Sequence, residues 1–384
     1  NLAKITGFET LSITGAALAN ASTVDLSKIA GLTSAQILGV ANGGAASITN
    51  VGANSSVVIK GNMVNGQADG GLTVSLKDAT GTADVVNVTV NQTITQTDNG
   101  TTVDTTTSAI TSITLTGIET VNVTSTGTLS ATPAAGNATD VAVNGLAIVN
   151  NDLVTLNVGG DQKFTFTSTA GMTKLATVNL ADSTAGGTVT LTNGTIAATV
   201  TGSAKADTIV GTSKADTISG GEGADTITGA AGADTLSGGA GNDTFVYANV
   251  AHSTLVALDT ISDFTANTYG NGTSGAAGTG ATGTASLRNG DVIKLDITAM
   301  GFANAAAALV DGAVVSVQSS AADAQTFLQN LGADATAALD NAVGIAFDSS
   351  TGRLYIDVDS NGTVDSVIQL TGVTTITAAA FELV

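Results

Sequence analysis

Short runs of alternating apolar and polar residues follow one another through residues 1–201, separated by Gly, Asn and Asp. Alternation with a period of two is typical of a β-strand that buries one face. One phrase recurs, as ITGFETLSIT at 5–14, as LTGIETVNVT at 115–124 and, more loosely, as KLATVNLAD at 174–182. Recurrence of one strand at irregular spacing predicts a β-solenoid with loop insertions, and a β-sandwich is the alternative.

A stricter pattern occupies residues 202–246, where a large apolar residue returns every nine positions. Gly opens each nonapeptide, and Asp stands two positions before the apolar residue. Because Gly tolerates the backbone angles of a tight turn, each unit predicts a turn followed by a very short strand with its apolar residue pointing inward. The inward residues are Ile209, Ile218, Ile227, Leu236 and Phe245.

Residues 247–384 no longer follow the nine-residue period. The stretch at 268–286 is rich in Gly, Thr and Ala and predicts a flexible loop. Ser320 and Asp323 form a predicted helix-capping pair. We expect the region to cap the open end of the solenoid, which a stacked repeat needs for solubility. Helices are predicted at 302–311 and 320–342, and strands at 344–348, 353–359 and 364–370.

Composition favours thin stacked sheets over a thick globular core. The 384 residues include 47 Gly, 1 Pro and only 3% aromatic residues. The predicted fold is all-β, an elongated parallel β-solenoid or β-roll with a small C-terminal region that contains a few helices and strands. We expect a β-rich solenoid body at 1–201, a β-roll at 202–246, and a C-terminal flank and cap at 247–384.

The charge is one-sided, with 11 Lys and Arg against 31 Asp and Glu, and a net charge of −20. Self-repulsion of this size opposes a compact state unless cations screen it. Nucleic acid is excluded as a partner, because its binders carry basic patches. The absence of Cys excludes disulfides and Cys-based metal sites, and no apolar stretch reaches transmembrane length.

The nonapeptide block is also where candidate metal ligands concentrate. Its aspartates and turn carbonyls point at the same place and supply hard oxygen ligands, which suit calcium. Without a cation, carboxylates stacked along the roll would repel one another. The predicted cofactor is therefore calcium. The aspartates stand at Asp207, Asp216, Asp225, Asp234 and Asp243.

The units read GSAKADTIV, GTSKADTIS, GGEGADTIT, GAAGADTLS and GGAGNDTFV, which resemble the calcium-binding nonapeptide repeat of RTX proteins. In that family two nonapeptides make one turn of a parallel β-roll. The resemblance therefore implies about three calcium sites, between aspartates 18 residues apart: Asp207 with Asp225, Asp216 with Asp234, and Asp225 with Asp243. The implied carbonyl ligands come from the turns, at Gly220, Glu222, Ala224, Gly229, Ala231, Ala233, Gly238, Ala240 and Asn242.

The first two units depart from the pattern. Lys205 and Lys214 stand where the later turns have Gly. Because a lysine there competes electrostatically with calcium, we expect the N-terminal sites to be weak or half-formed.

The resemblance continues past the repeats. The segments GNDTFVY (241–247), DTISDF (259–264) and DVIKLD (291–296) are similar to the C-terminal flank of RTX proteins. This similarity implies that Asp259 and Asp263 donate to the last calcium loop, and surface aspartates in a turn are the alternative.

A second aspartate-rich loop lies at 357–365. Asp357, Asp359, Asn361 and Asp365 match positions one, three, five and nine of an EF-hand, but the twelfth position lacks Glu. The prediction is therefore a turn stabilised by Asp and Asn side chains and not an EF-hand.

No catalytic constellation is visible. The single His252 cannot form an H-E-x-x-H zinc site, and no G-x-S-x-G nucleophile elbow is present. We therefore expect no enzymatic activity from these residues.

The body, the acidic composition, the calcium block and the tail AAAFELV (378–384) together resemble RTX-repeat surface-layer proteins of Gram-negative bacteria. The tail resembles the uncleaved signal of type I secretion substrates. The resemblance implies a secreted structural protein that assembles with itself, with calcium, into a lattice or filament on the bacterial cell surface. Cell-surface polysaccharide is a further candidate partner. The alternatives are an RTX surface adhesin, or part of a secreted enzyme whose catalytic domain lies upstream of Asn1.

Overall fold

The computed structural model describes most of the chain, and the chain divides into two compact units. Unit 1 comprises Asn1–Ile196 with Thr201–Ala204, and unit 2 comprises Ala197–Val200 with Lys205–Val384. The described residues are 10–14, 23–26, 34–38, 46–52, 56–60, 72–76, 78, 80–97, 105–132, 141–266, 290–300, 313–318, 320–333, 343–359 and 361–384.

The strands of unit 1 alternate between two parallel sheets, and each strand pairs with the strand two places along the chain. The first sheet has the order β1 (Thr10–Thr14), β3 (Ser34–Leu38), β5 (Ser56–Lys60), β7 (Val85–Thr97), β9 (Thr120–Thr132), β11 (Thr155–Gly160) and β13 (Thr177–Ser183). The second has the order β2 (Thr23–Asp25), β4 (Ala46–Val51), β6 (Leu72–Leu76), β8 (Thr105–Thr116), β10 (Val141–Val149), β12 (Lys163–Thr167) and β14 (Gly187–Thr190).

This pairing is that of a β-solenoid, so the predicted fold class is confirmed and the β-sandwich alternative is wrong. The recurring phrases at 5–14, 115–124 and 174–182 supply β1, β9 and β13, which all lie in the first sheet. Alternation buries one face of each strand, and β6 shows the pattern with Leu72, Val74 and Leu76 inside.

The outer face of the first sheet carries a ladder of asparagines in register. Asn122 Nδ2 donates to Asn87 Oδ1 at 2.8 Å, and Asn157 Nδ2 donates to Asn122 Oδ1 at 2.8 Å. Asn179 holds the next register position, opposite Asn157. The first two steps each span 35 residues, which is the length of one coil here.

Unit 2 continues the alternation with much shorter coils. One sheet has the order β16 (Thr208–Val210), β18 (Thr226–Thr228), β20 (Thr244–Tyr247), β22 (Val292–Leu295) and β27 (Phe381–Leu383). The other contains β17 (Thr217–Glu222), β19 (Thr235–Ala240), β21 (Asp259–Ile261), β26 (Ser366–Leu370), β25 (Arg353–Asp357), β24 (Val343–Asp348) and β23 (Ala313–Gln318). β15 (Thr199–Thr201) falls at the boundary of the units in the sequence.

In this second sheet, β26 with β25 and β25 with β24 pair antiparallel, and β24 with β23 pairs parallel again. Helix α1 (Ala321–Ala333) packs there through Ala324 and Leu328, which join a buried cluster with Tyr355. The predicted capping pair is present, since the Asp323 amide donates to Ser320 Oγ at 3.2 Å. The three strands predicted between 344 and 370 are present, and the first and last residue of each lies within two positions of the predicted one. The predicted loop at 268–286, the helix at 302–311 and the end of the second helix beyond 333 lie outside the described residues.

Candidate metal centre

The five nonapeptides form successive turns and short strands from β16 to β20. Their apolar residues form an inner stack, and each is at most 1% exposed: Ile209, Ile218, Ile227, Leu236 and Phe245. Each aspartate directly precedes its strand, and all five are buried. Because a buried carboxylate costs several kcal/mol unless it is paired (order of magnitude), the partners of these groups decide what the turns can bind.

One oxygen of Asp225, of Asp234 and of Asp243 holds the previous coil in register. Asp225 Oδ1 accepts from the Asp207 amide at 2.7 Å, and Asp243 Oδ1 accepts from the Asp225 amide at 2.9 Å. On the other edge, Asp234 Oδ1 accepts from the Asp216 amide at 2.7 Å. The structure therefore brings together all three pairs that the period of 18 residues implied.

The same ladder runs beyond the repeats. Asp259 Oδ1 accepts from the Asp234 amide at 2.9 Å, and Asp291 Oδ1 accepts from the Asp243 amide at 3.0 Å. Sequence reasoning named Asp259 but missed Asp291. The available signal was that Asp291 directly precedes an apolar strand, as the repeat aspartates do, although it lies 48 residues after Asp243.

The second oxygen of four ladder aspartates has no protein partner. Each of these Oδ2 atoms is buried and accepts no hydrogen bond, in side chains that are at most 1% exposed. Leaving a buried polar atom unsatisfied costs about 1–3 kcal/mol, and more when the group is charged. The unsatisfied atoms belong to Asp225, Asp234, Asp243 and Asp259.

The electrostatics of the ladder also favour a cation. Burial raises the pKa of Asp225 and of Asp234 to about 7, with a smaller contribution from neighbouring carboxylates. Burial likewise raises the pKa of Asp259 to about 8 and that of Asp291 to about 6. A divalent cation with a preference for oxygen ligands would hold these groups ionised, and calcium fits that donor set.

Backbone carbonyls lie beside carboxylate oxygens of the ladder. A Cβ atom built on Gly220 would contact Asp225 Oδ2 and would lie 2.6 Å from the carbonyl oxygen of Gly238. In the same way, a Cβ atom built on Gly211 would lie 2.5 Å from the carbonyl oxygen of Gly229. Of the implied carbonyl ligands, Gly229 and Gly238 are thus placed next to carboxylate oxygens of the preceding coil.

The other implied turn ligands differ in their hydrogen bonds and in their exposure. The carbonyl of Ala240 accepts a backbone hydrogen bond from Gly223 at 2.8 Å, and Asn242 Oδ1 accepts from the Gly290 amide at 2.8 Å. Gly220 is buried at the start of its turn. The remaining turn residues are exposed or half-buried: Glu222, Ala224, Ala231 and Ala233.

The first two turns have a different backbone from the later ones. Gly221 and Gly223 adopt φ values of +110° and +125°, which L side chains rarely reach. Among the described residues, Thr212, Lys205 and Lys214 at the corresponding positions do not enter this region. The predicted difference between the lysine-bearing turns and the later turns is therefore present in the backbone itself.

In the second turn, both carboxylate oxygens of Asp216 have hydrogen-bond partners within the protein. Its carboxylate accepts hydrogen bonds from the Thr212 amide at 2.5 Å, the Thr212 hydroxyl at 2.9 Å and the Ala198 amide at 2.7 Å. Burial raises the pKa of Asp216, while these bonds lower it. Asp216 was expected to be a ligand, but its turn satisfies both of its oxygens, so it departs from the pattern of Asp225 and Asp234.

Asp263 lies outside the ladder and caps a turn. Its carboxylate accepts from the amides of Gly238 at 3.0 Å and Gly239 at 2.8 Å, and from the Ser237 hydroxyl at 2.6 Å. The negative charge of Asp263 nevertheless contributes to the raised pKa of Asp243.

The aspartate-rich loop at 357–365 is a turn held by its own side chains. Carboxylate oxygens of Asp357, Asp359 and Asp365 lie within 4.8 Å of one another. Asp357 Oδ2 accepts from the Gly362 amide at 2.8 Å, and Asp365 Oδ2 accepts from the Val358 amide at 2.8 Å. Burial raises the pKa of Asp357 to about 6. These bonds are those of the predicted side-chain-stabilised turn.

Residues 201–236 and 210–245 match the family model described as RTX calcium-binding nonapeptide repeat (4 copies). This block is an RTX repeat. RTX repeats bind calcium, and proteins that carry them are typically secreted. A search of curated proteins finds no match to the chain. Within the described ranges, no helix has the length and apolar content needed to cross a membrane.

Proposed function

We propose that this protein is a structural component of the bacterial cell surface, which is exported by type I secretion and assembles with further copies of itself when it meets calcium. The observation that carries the proposal is the ladder of buried carboxylates with unsatisfied oxygens at Asp225, Asp234, Asp243 and Asp259. Such a roll is unfavourable without a cation and favourable with one, so calcium acts as a folding trigger and not as a catalytic cofactor.

The difference in calcium concentration between the cytosol and the exterior controls whether the repeats fold. Weak extracellular calcium modules have dissociation constants of roughly 10⁻⁴–10⁻³ M. With sites of this strength, the repeats remain unfolded at the low calcium of the cytosol and fold outside the cell. An unfolded chain during export and a folded one at the surface suit a secreted building block.

Two surface features support association between copies. The outer asparagine ladder of unit 1 presents the same polar group at three successive coils, at Asn87, Asn122 and Asn157. In unit 2, Leu255 and Val256 are 63% and 97% exposed, in the loop between β20 and β21. Repeating polar rows suit lateral packing, and an exposed apolar pair suits a contact that excludes water. The net charge of −20 opposes association until cations screen it.

The test is assembly of the purified chain, followed by light scattering and electron microscopy during a calcium titration. Ordered lattices or filaments should form at millimolar calcium, should dissolve in chelator and should not form with magnesium at equal ionic strength. Leu255→Ser with Val256→Ser should weaken assembly without changing the calcium-induced strand signal in circular dichroism. A chain that folds with calcium but remains monomeric would falsify the proposal.

A further inference from the structure

A groove with a volume of about 490 Å³ lies on the first sheet of unit 1, over β9, β11 and β13. Two of the residues that line it, Gly159 and Gly160, have no side chains to fill it. Gly160 adopts a φ value of +110°, and a Cβ atom built there would collide with the carbonyl oxygen of Ser125. Because a side chain at Gly160 would require the backbone to move, the groove is a fixed feature of this fold.

A β-bulge places the Asp182 carboxylate beside these glycines. Asn157 pairs with Asn179, but Gly159 pairs with Asp182, so β13 contains one residue more than β11 between the two pairs. Bulges redirect side chains and are frequent next to functional sites. A Cβ atom built on Gly159 would lie 3.2 Å from Asp182 Cβ. Asp182 is exposed, and within the described ranges its carboxylate has no hydrogen-bond or ion-pair partner.

The asparagine ladder is interrupted at the same groove. Asn122 and Asn157 each donate from Nδ2 to the preceding asparagine at 2.8 Å. Asn179 does not continue the ladder, because its Oδ1 accepts from the Ala181 amide at the bulge, at 3.0 Å. Asn157 Oδ1 and Asn179 Nδ2 therefore line the groove with no partner in the part of the chain that the structure describes. They present an acceptor and a donor from adjacent strands.

These groups determine the class of ligand that the groove suits. A sugar hydroxyl both donates and accepts, so neighbouring hydroxyls of one sugar can satisfy a carboxylate, an amide oxygen and an amide N–H together. The described lining contains no Lys or Arg, and Asp182 is negatively charged, which disfavours a phosphate, sulfate or carboxylate ligand. Val123 and Val158 are each 2% exposed, so an apolar ligand would find little surface to cover.

We propose that this groove binds a neutral glycan, with Asp182 and Asn157 accepting from its hydroxyls and Asn179 donating to one of them. The groove is built from residues of unit 1, whereas the calcium ladder belongs to unit 2. Glycan binding is therefore an additional activity, which depends neither on the calcium sites nor on assembly between copies. Such a site holds the chain on a surface that carries neutral polysaccharide.

The test is binding of the full chain to an array of neutral oligosaccharides of hexoses and N-acetylhexosamines, with sialylated and sulfated oligosaccharides on the same array. The native chain should bind a neutral oligosaccharide in preference to the anionic ones. Asp182→Asn keeps the shape of the side chain but removes its charge, so it should weaken this binding by about tenfold or more. Asp78→Asn, a matched change at another exposed site in unit 1, should leave the binding unchanged.

An exchange variant separates the placement of the groups from their composition. Asn179→Asp with Asp182→Asn keeps the net charge and leaves an oxygen at position 179 for the Ala181 amide, but donor and acceptor change places. This variant should keep the strand signal in circular dichroism and lose glycan binding. If it does not fold, Asp182→Asn decides the question, because that change is at an exposed position.

Three results overturn the proposal: no binding of the native chain to any neutral oligosaccharide, a preference for the anionic ones, or full binding by the folded groove variants. Groove variants that lose assembly, in a chain that binds no glycan, would instead make the groove a contact between copies. A chain that binds the glycan but does not assemble contradicts only the proposed assembly.

Discussion

The backbone amide of Asp225 donates to Asp243 Oδ1 at 2.9 Å across 18 residues, while Asp225 Oδ2 is buried without a hydrogen-bond partner. One carboxylate oxygen thus fixes the register of the roll, and the other is left for a cation. Asp216 differs, because Thr212 and Ala198 satisfy both of its oxygens. Calcium dependence should therefore vary from one aspartate to the next along a ladder of nearly uniform sequence.

The first prediction compares Asp225→Asn with Asp216→Asn. Asp225→Asn removes a cation ligand, so it should lower the free energy of unfolding by about 3 kcal/mol at calcium roughly a hundred times the dissociation constant, and should not lower it in chelator. Asp216→Asn removes an acceptor from a protein hydrogen bond and should cost about 1–3 kcal/mol with or without calcium. Thermal unfolding in both conditions measures the difference, and equal calcium dependence of the two variants contradicts the assignment.

The second prediction concerns pH. Burial raises the pKa of Asp225 and Asp234 to about 7 and that of Asp259 to about 8, against an unfolded value of about 3.9. The folded chain therefore binds these protons more tightly than the unfolded chain. In chelator, stability should be greatest below about pH 4, apart from other titrating groups, and should fall as the pH rises through about 7–8.

Calcium should reverse this dependence, because only the deprotonated carboxylates bind it. At saturating calcium, the melting temperature should rise between pH 5 and pH 8. A melting temperature that falls with pH in both calcium and chelator would show that calcium does not engage the ladder.

The third prediction is a gain of function at the second turn. Thr212→Gly removes the hydroxyl that donates to Asp216 Oδ1. Together, Thr212→Gly and Lys214→Gly permit the positive φ values seen at Gly221 and Gly223, in the turn where Asp225 Oδ2 accepts no backbone amide. The double variant should bind one more calcium ion per chain than the native protein, as measured by equilibrium dialysis. Ser213→Gly, an exposed change in the same turn, serves as the control and should add none.

The fourth prediction uses Tyr247 as a reporter. Burial and the nearby Asp259 carboxylate raise the pKa of Tyr247 well above its usual value, which places its ring beside the ladder. The chain has no Trp, so terbium bound at Asp234 and Asp259 should show emission sensitised by Tyr247. Tyr247→Phe should remove most of this emission, and Tyr355→Phe should not. Emission that depends on Tyr355 would instead place terbium at the 357–365 loop.

The sequence by itself determined what repeats at a fixed local period. Nine-residue spacing set the inward residue of each short strand, and the resemblance to a family with two units in each coil implied the pairs Asp207–Asp225 and Asp225–Asp243. The alternating phrases in residues 1–201 favoured a parallel solenoid, and the strand pairing of the structure excluded the β-sandwich alternative. Strand bounds were less well determined: the strand predicted at 353–359 ends at Asp357, and the strand predicted from 364 begins at Ser366.

Only the tertiary structure decided which carboxylates lack a protein partner. Thr212 satisfies Asp216 through a local turn that spacing alone does not distinguish from the others. Asp291 joins the ladder from 48 residues away, through the pairing of β20 with β22. Both outcomes depend on which residues the fold brings into contact. A sequence repeat predicts such contacts only between residues that belong to the repeat.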